Sequence, residues 1–473
     1  MRRAKIVATL GPATSSPGML AGLLRAGADV VRLNLSHGDH AEHARVIHRT
    51  RQAAEALGRA VPIIADLQGS KARVGRLVEG RPLPLRRGEI VTLTPRNIAG
   101  RPGLIPISLG SLARDVSRGD PILLDDGRIE LSVLRNRGRD VVCRVMSGGL
   151  LLQHKGMNLP GTDLRSEALT RKDRSDLDFA LRHGVDYVAL SFVRSEEDLN
   201  RVRRLLRRQG REVPLIAKLE VRRAVERLPE ILRAADGVMV ARGDLGVEVP
   251  LERVPILQKW ILQEAHRMGV IAITATEMLE SMVGRPRPTR AEASDVANAI
   301  LDGSDAVMLS AETASGRYPL KAVSVMHRII REAERSGVHV TGPAEAPPGA
   351  DEEGHAVAHA AVDAARQWRA EAIVVYTQAG TTARLLSKLN PPCPILAITP
   401  GETIRRRMAL YRGVLPIAMR LAHSTDRMLR DGERAILGSR LLRRGARVVV
   451  VSGTSPRAVA TRLMKLHRLG ERL

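Results

Sequence analysis

The sequence predicts an α/β protein built on a (β/α)8 barrel, with a small β-barrel domain inserted in one barrel loop and a C-terminal α/β domain. Three observations carry that expectation. Eight short apolar runs alternate with helix-length segments, a glycine-punctuated stretch of strand-like pieces interrupts them once, and a Pro-, Gly- and acid-rich segment precedes a second alternating series. With 473 residues the chain exceeds the roughly 250–300 at which one core stops growing, so more than one domain is required.

In order, the eight runs are KIVATL from Lys5, DVVRLNL from Asp29, PIIADL from Pro62, DYVALSF from Asp186, PLIAKLE from Pro214, DGVMVA from Asp236, VIAITAT from Val270 and DAVMLS from Asp305. Continuous apolar runs suit strands buried on both faces and joined by crossover helices, and eight such parallel strands close into a barrel. The interruption, residues 74–158, holds EIVTLT, DPILLDDGRIELSV and DVVCRVM as strand candidates. The barrel therefore takes residues 1–73 and 159–335, a linker 336–353, and the last domain 354–473, where AIVVYTQ, PILAITP, GVLPIAM and RVVVVSG read as strands of an open α/β sheet.

Composition narrows the function classes. The chain is 44% hydrophobic and 27% charged, and no apolar run approaches the ~20 residues needed to span a bilayer. Gly11-Pro12 breaks the first apolar stretch, so a strand in a cytoplasmic protein is expected there, not a signal peptide. Cys143 and Cys393 are too far apart in sequence to form a metal-spaced pair. The net charge of +24 would suit a polyanion, but the arginines are spread along the chain and aromatic residues make up only 2%. Without stacking residues among the basic ones, nucleic acid is not an expected partner.

In such a barrel the active site is built at the C-terminal ends of the strands. Those ends offer Arg32, Asn34, Ser36, Asp66, Ser191, Lys218, Glu220, Asp244, Thr276, Ser310 and Glu312. Lys218 and Glu220 are two apart, so on a strand they share one face. Asp244 follows the next strand, and with Glu220 it offers carboxylate oxygens suited to Mg²⁺ that keeps waters and substrate oxygens. Taken alone, Lys218 and Glu220 read equally as an ion pair on a barrel rim. Gly243 and Gly246 around Asp244 add a turn whose backbone a ligand could approach closely. Arg32, Arg73, Lys155 and Lys218 supply the fixed positive charge that phosphoryl transfer requires. A barrel aldolase or lyase acting on a pyruvate-like acid would hold Mg²⁺ in the same way, without needing the inserted domain.

RRAKIVATLGPATS, VVRLNLSHG, DLQGSKARVG, HKGMNLPG, LIAKLE, VMVARGDLGVEVP, TATEMLESM, PTRAEASDVANAILDGSDAVMLSAETA and SKLNPPCPILAITP run in family order along nearly the whole chain and resemble the pyruvate kinase family. The resemblance implies phosphoryl transfer from phosphoenolpyruvate to ADP by a cytoplasmic homotetramer. Lys218 would stabilise the moving phosphoryl group, Glu220 and Asp244 would hold Mg²⁺ or Mn²⁺, and Arg32 would neutralise the phosphate. Gly243 and Asp244 amides would hold the substrate carboxylate, with Thr276 near the carbon that is protonated and Ser191 lining the pocket. Asn34, His37, Arg73 and Lys155 match nucleotide-side positions, and the inserted domain would act as a lid.

One departure concerns the monovalent cation. Many family members bind K⁺ through positions matching Asn34, Ser36, Asp66 and Leu67, with a glutamate where this chain has Lys71. A fixed ammonium there could replace K⁺, so activity without K⁺ is expected; in the other reading Lys71 is an exposed basic residue and K⁺ still binds. TQAGTTA resembles a loop that binds a phosphorylated allosteric effector, with Thr377, Thr381 and Thr382 as phosphate ligands, though a threonine-capped helix N-terminus explains the same residues.

Overall fold

A computed structural model describes residues 2–162, 169–337, 351–420, 425–452 and 462–471. The eight runs form a closed parallel barrel in chain order: Lys5–Leu10, Val30–Asn34, Ile63–Asp66, Tyr187–Leu190, Leu215–Leu219, Gly237–Ala241, Ile271–Ala275 and Ala306–Leu309, the last pairing with the first. Two cores follow from the two faces of each strand. Val7, Ile64, Tyr187, Ile216, Met239 and Ile273 fill the barrel interior. Val31, Leu33, Ala65, Leu190 and Leu219 face outward against the helices. Helix starts are fixed by local chemistry, as at Thr170 and Thr289, which form capping boxes with Asp173 and Glu292.

The insert is a seven-stranded sheet with a separate two-stranded pair. An isolated bridge between Val74 and Ile107 joins its two end strands, so the sheet closes into the small barrel expected from the sequence. Its pairing takes in Ala72–Arg73 against Gly156–Asn158, placing both connections to the large barrel side by side. Leu93, Ile105, Ile122 and Leu131 lie in its own core.

Of the expected linker 336–353, residues 338–350 lie outside the described residues. The C-terminal sheet runs Val414–Ala418, Ile395–Thr399, Ala372–Tyr376, Arg447–Ser452 and Leu463–Arg468, parallel except for its last pair. This domain docks on the end of the barrel where the strands begin. Leu410 enters the interior barrel core, Lys5 Nζ donates to the Val414 carbonyl at 2.8 Å, and Lys388 Nζ meets Asp305 at 2.5 Å. The strand C-termini are left to the lid side. No described helix is long and apolar enough to cross a membrane.

Candidate active site

Each strand end delivers its polar group because the side-chain period of two alternates core and mouth. On the second strand Arg32 points inward, and its Nε reaches Asp66 Oδ2 at the end of the neighbouring strand at 2.7 Å. Lys218 Nζ lies 2.7 Å from Ser191 Oγ, 2.9 Å from Glu220 Oε1 and 3.3 Å from Asp66 Oδ1. Ser191 is anchored by donating to the Leu67 carbonyl at 2.8 Å. Glu220, 1% exposed, also accepts the Phe192 N–H at 2.7 Å through its second oxygen. Three strand ends thus converge on one ammonium, with Arg32 of a fourth strand behind Asp66.

The electrostatics follow from that packing. Burial works against the Lys218 charge, yet Asp66 and Glu220 outweigh it and raise the ammonium above its ordinary pKa. Burial likewise pushes the Asp66 carboxyl up, but Lys218 and Arg32 hold it below the usual carboxylate value. For Glu220 burial wins over Lys218, and the nearby Asp244 charge adds to the rise. Glu312, at the eighth strand end, is buried and raised as well, and accepts N–H groups of Ser310 at 2.7 Å and Leu279 at 3.0 Å.

Asp244 stands on the short helix Arg242–Glu248, where Lys71 Nζ meets its Oδ1 at 2.5 Å. Lys71 comes from the lid connection, lies 5.5 Å from the centre of the Phe192 ring and has Asp126 at 3.8 Å. Its ammonium is therefore brought to Asp244, whereas Asp66 takes its ion pairs from Arg32 and Lys218. Gly243 N–H donates to Thr276 Oγ1 at 2.8 Å, joining two sequence-predicted residues. Thr276 and Glu277 have φ of +68° and +54°, conformations that cost a β-branched or long side chain about 1–3 kcal/mol each. That backbone turns Glu277 out to solvent while Thr276 faces Gly243.

The remaining candidates divide into separate groups. Arg73 and Lys155 are brought together at the base of the lid, where Arg73 Nη1 donates to the His154 carbonyl at 3.1 Å and Lys155 pairs with Asp125 at 2.8 Å. Asn34, Ser36 and His37 follow the second strand, with Asn34 Oδ1 accepting the Ser36 N–H at 3.2 Å and His37 exposed. Thr377, Thr381 and Thr382 lie in the C-terminal domain around Gly380, whose N–H donates to Thr377 Oγ1 at 3.0 Å. Sequence reasoning missed Phe192, Asn158 and Glu248. Asn158 Nδ2 donates to Glu248 Oε1 at 3.1 Å, and with Lys71 and Phe192 these residues line a cavity of about 570 Å³ beside the lid connection. Phe192 follows the flagged Ser191 directly, but nothing local tells that its N–H caps Glu220. Among the described residues no three or more His, Cys, Asp or Glu gather as a metal cluster; two carboxylates still suffice for Mg²⁺ that keeps waters and substrate oxygens.

A closed eight-stranded barrel with a lysine, an arginine and several carboxylates buried at its C-terminal mouth is the framework of a barrel enzyme that handles anionic substrates. Residues 1–323 match the pyruvate kinase barrel domain and residues 355–467 the pyruvate kinase alpha/beta domain. The chain is 45% identical over 471 residues to the pyruvate kinase of Mycobacterium intracellulare, covering 99% of each, and 44% identical over 476 residues to that of Corynebacterium glutamicum, covering 99% and 98%. Among solved structures, a pyruvate kinase from Cryptosporidium parvum superposes with a TM-score of 0.91 at 34% identity, covering 99% of this chain and 96% of that one. The chain belongs to the pyruvate kinase family.

Proposed function

We propose that this enzyme transfers the phosphoryl group of phosphoenolpyruvate to ADP at the mouth of the barrel, and that it does so without K⁺. The observation that carries the reading is the Lys218 ammonium, kept charged in a buried site by Asp66 and Glu220. A fixed positive charge there would meet the developing charge of the phosphoryl group and of the enolate without reorganising. Arg32, already oriented by Asp66 through Nε and by Thr9 Oγ1 at 3.1 Å from Nη1, would meet the phosphate with its Nη2 end.

The donor set fits a divalent metal. Burial and the neighbouring Asp244 charge both make Glu220 a reluctant anion, and a cation shared by the two carboxylates would relieve that. Glu220 and Asp244 would hold Mg²⁺ or Mn²⁺, which when bound supplies Lewis-acid polarisation of substrate oxygens. Lys218 and Lys71, which pair with these carboxylates, would then turn toward substrate. Gly243 N–H would exchange Thr276 Oγ1 for the substrate carboxylate, leaving that hydroxyl to hold a proton near the carbon that accepts it. Arg73 and Lys155 would carry the nucleotide phosphates as the lid closes and excludes water, with Asn34 and His37 on the barrel side.

Lys71 supports the K⁺ reading by bringing a permanent ammonium to the carboxylate side of the pocket. The same reading makes the enzyme a cytoplasmic homotetramer with an effector loop at Thr377, Thr381 and Thr382. One assay tests the core of the proposal. Purified protein with Mg²⁺, phosphoenolpyruvate and ADP in buffer free of Na⁺ and K⁺ should form ATP and pyruvate at full rate. Absence of ATP defeats the activity, strong activation by added K⁺ defeats the cation claim alone, and Lys71→Glu should make the rate depend on K⁺.

A further inference from the structure

At the opposite end of the barrel from the catalytic groups, a cavity of about 250 Å³ opens where the C-terminal domain meets the barrel. Arg203 and Arg207 sit one turn apart on the helix Glu196–Arg208, and Arg211 is folded back beside them by its N–H bond to the Leu206 carbonyl. Across the cavity stands Arg407, from the helix Glu402–Met408 of the C-terminal domain.

The charges here are unbalanced. Asp236 is already engaged by Arg203 at 2.9 Å and by the Leu215 N–H at 2.9 Å, which leaves Glu212 as the other carboxylate of the lining. Among the described residues the Arg207 and Arg211 side chains have no ion-pair or hydrogen-bond partner. Arg407 Nη2 is held by the Glu212 carbonyl at 2.9 Å, and its Nε is buried without a partner. A buried guanidinium N–H left unpaired is costly, and several arginine forks around one small space suit a tetrahedral dianion. The lining offers no aromatic ring on which a base could stack.

We propose that this cavity binds a phosphate group, free or as the monoester of a small polyol, and that the bound phosphate ties the barrel helix to the C-terminal domain through Arg207, Arg211 and Arg407. The site is independent of the reaction proposed above, and its failure would leave that reaction untouched.

The test is thermal unfolding of the full chain at fixed ionic strength, titrated with inorganic phosphate or glycerol 3-phosphate, for wild type and for Arg207→Glu with Arg211→Glu. Both substituted positions are exposed, so the fold should persist, and Arg207→Ala with Arg211→Ala serves as a milder second variant. Binding to the native state raises the midpoint by mass action. The expected result is a midpoint rise in wild type whose apparent affinity falls at least tenfold in the charge-reversed protein and severalfold in the alanine protein. Phosphate bound at the catalytic site contributes equally to all three and cancels. Tighter binding of glycerol 3-phosphate identifies a monoester ligand, and equal affinity identifies free phosphate. The same response in wild type and both variants, or none in wild type, overturns the proposal.

Discussion

Lys218 keeps its proton because the cost of burial is outweighed by Asp66 and Glu220, and the sign of that balance has consequences. A lysine pKa raised in the folded state adds stability that is fully present below the ordinary value of about 10.4 and is lost only above the raised one. The rate should therefore show no alkaline loss attributable to this group up to pH 9, which a pH–rate profile checks. Lys218→Met should lower kcat at least about 10²–10³-fold, the scale of removing one preorganised donor. It should also cost about 3–5 kcal/mol in denaturant unfolding, because Glu220 keeps a buried charge without its partner. A stable but inactive variant would mean that the buried carboxylate takes up a proton instead. Lys218, Glu220 and Arg32 were legible in the sequence because a period of two places polar groups at the ends of apolar strands. The partner of Asp66 was not. Its ion pairs run to Arg32 and Lys218, and contacts between side chains of different strands leave no local pattern.

At the scale of elements, the turn that leads from the third strand into the lid positions both lysines of the mouth. Gly69 has a φ of +72°, its N–H donates to Asp173 Oδ1 at 3.0 Å, and a Cβ there would lie 2.9 Å from both the Cβ and the carbonyl oxygen of Ser191. An alanine is therefore strained by its backbone and by contact with the residue that orients Lys218. Gly69→Ala should destabilise by about 1–3 kcal/mol and should lower kcat more than it raises KM, since it shifts Ser191, whose Oγ orients the Lys218 ammonium at 2.7 Å. Steady-state kinetics beside chemical denaturation separates the two, and unchanged kcat would show that the turn relaxes without disturbing Ser191. The strands of both α/β parts could be read directly, because apolar runs between turn residues are a local signal. Which residues bridge the insert, Val74 with Ile107, could not, nor could the meeting of Lys71 with Asp244, because both depend on how two distant segments are brought side by side.

Across the whole molecule, the barrel and the C-terminal domain are joined by buried charge as well as by apolar contact. Lys388 and Asp305 form an ion pair with both side chains 3% exposed, and Asp305 also accepts the Ala272 N–H at 2.7 Å. Lys388→Met strands the carboxylate and should cost about 3–5 kcal/mol, while adding Asp305→Asn should recover much of it; additive losses in the double variant would argue against coupling. Lys5 makes the opposite kind of contact, a buried ammonium donating to the Val414 carbonyl with its pKa brought down to about 8 by burial, against the pull of Asp29. Since the folded pKa lies below the unfolded one, the unfolded chain binds more protons between those values, and the Lys5 contribution to stability rises with pH there. Below about 8 both states are charged, and the full desolvation penalty remains. Methionine has no such penalty, so Lys5→Met should be more stable than wild type at pH 7. That advantage should shrink by about 1.4 kcal/mol per pH unit as pH rises above 8. Unfolding free energies of both proteins from pH 7 to 10 measure the gap, and a gap that stays constant would mean that burial does not lower the Lys5 pKa, the ammonium staying charged in the folded protein throughout that range.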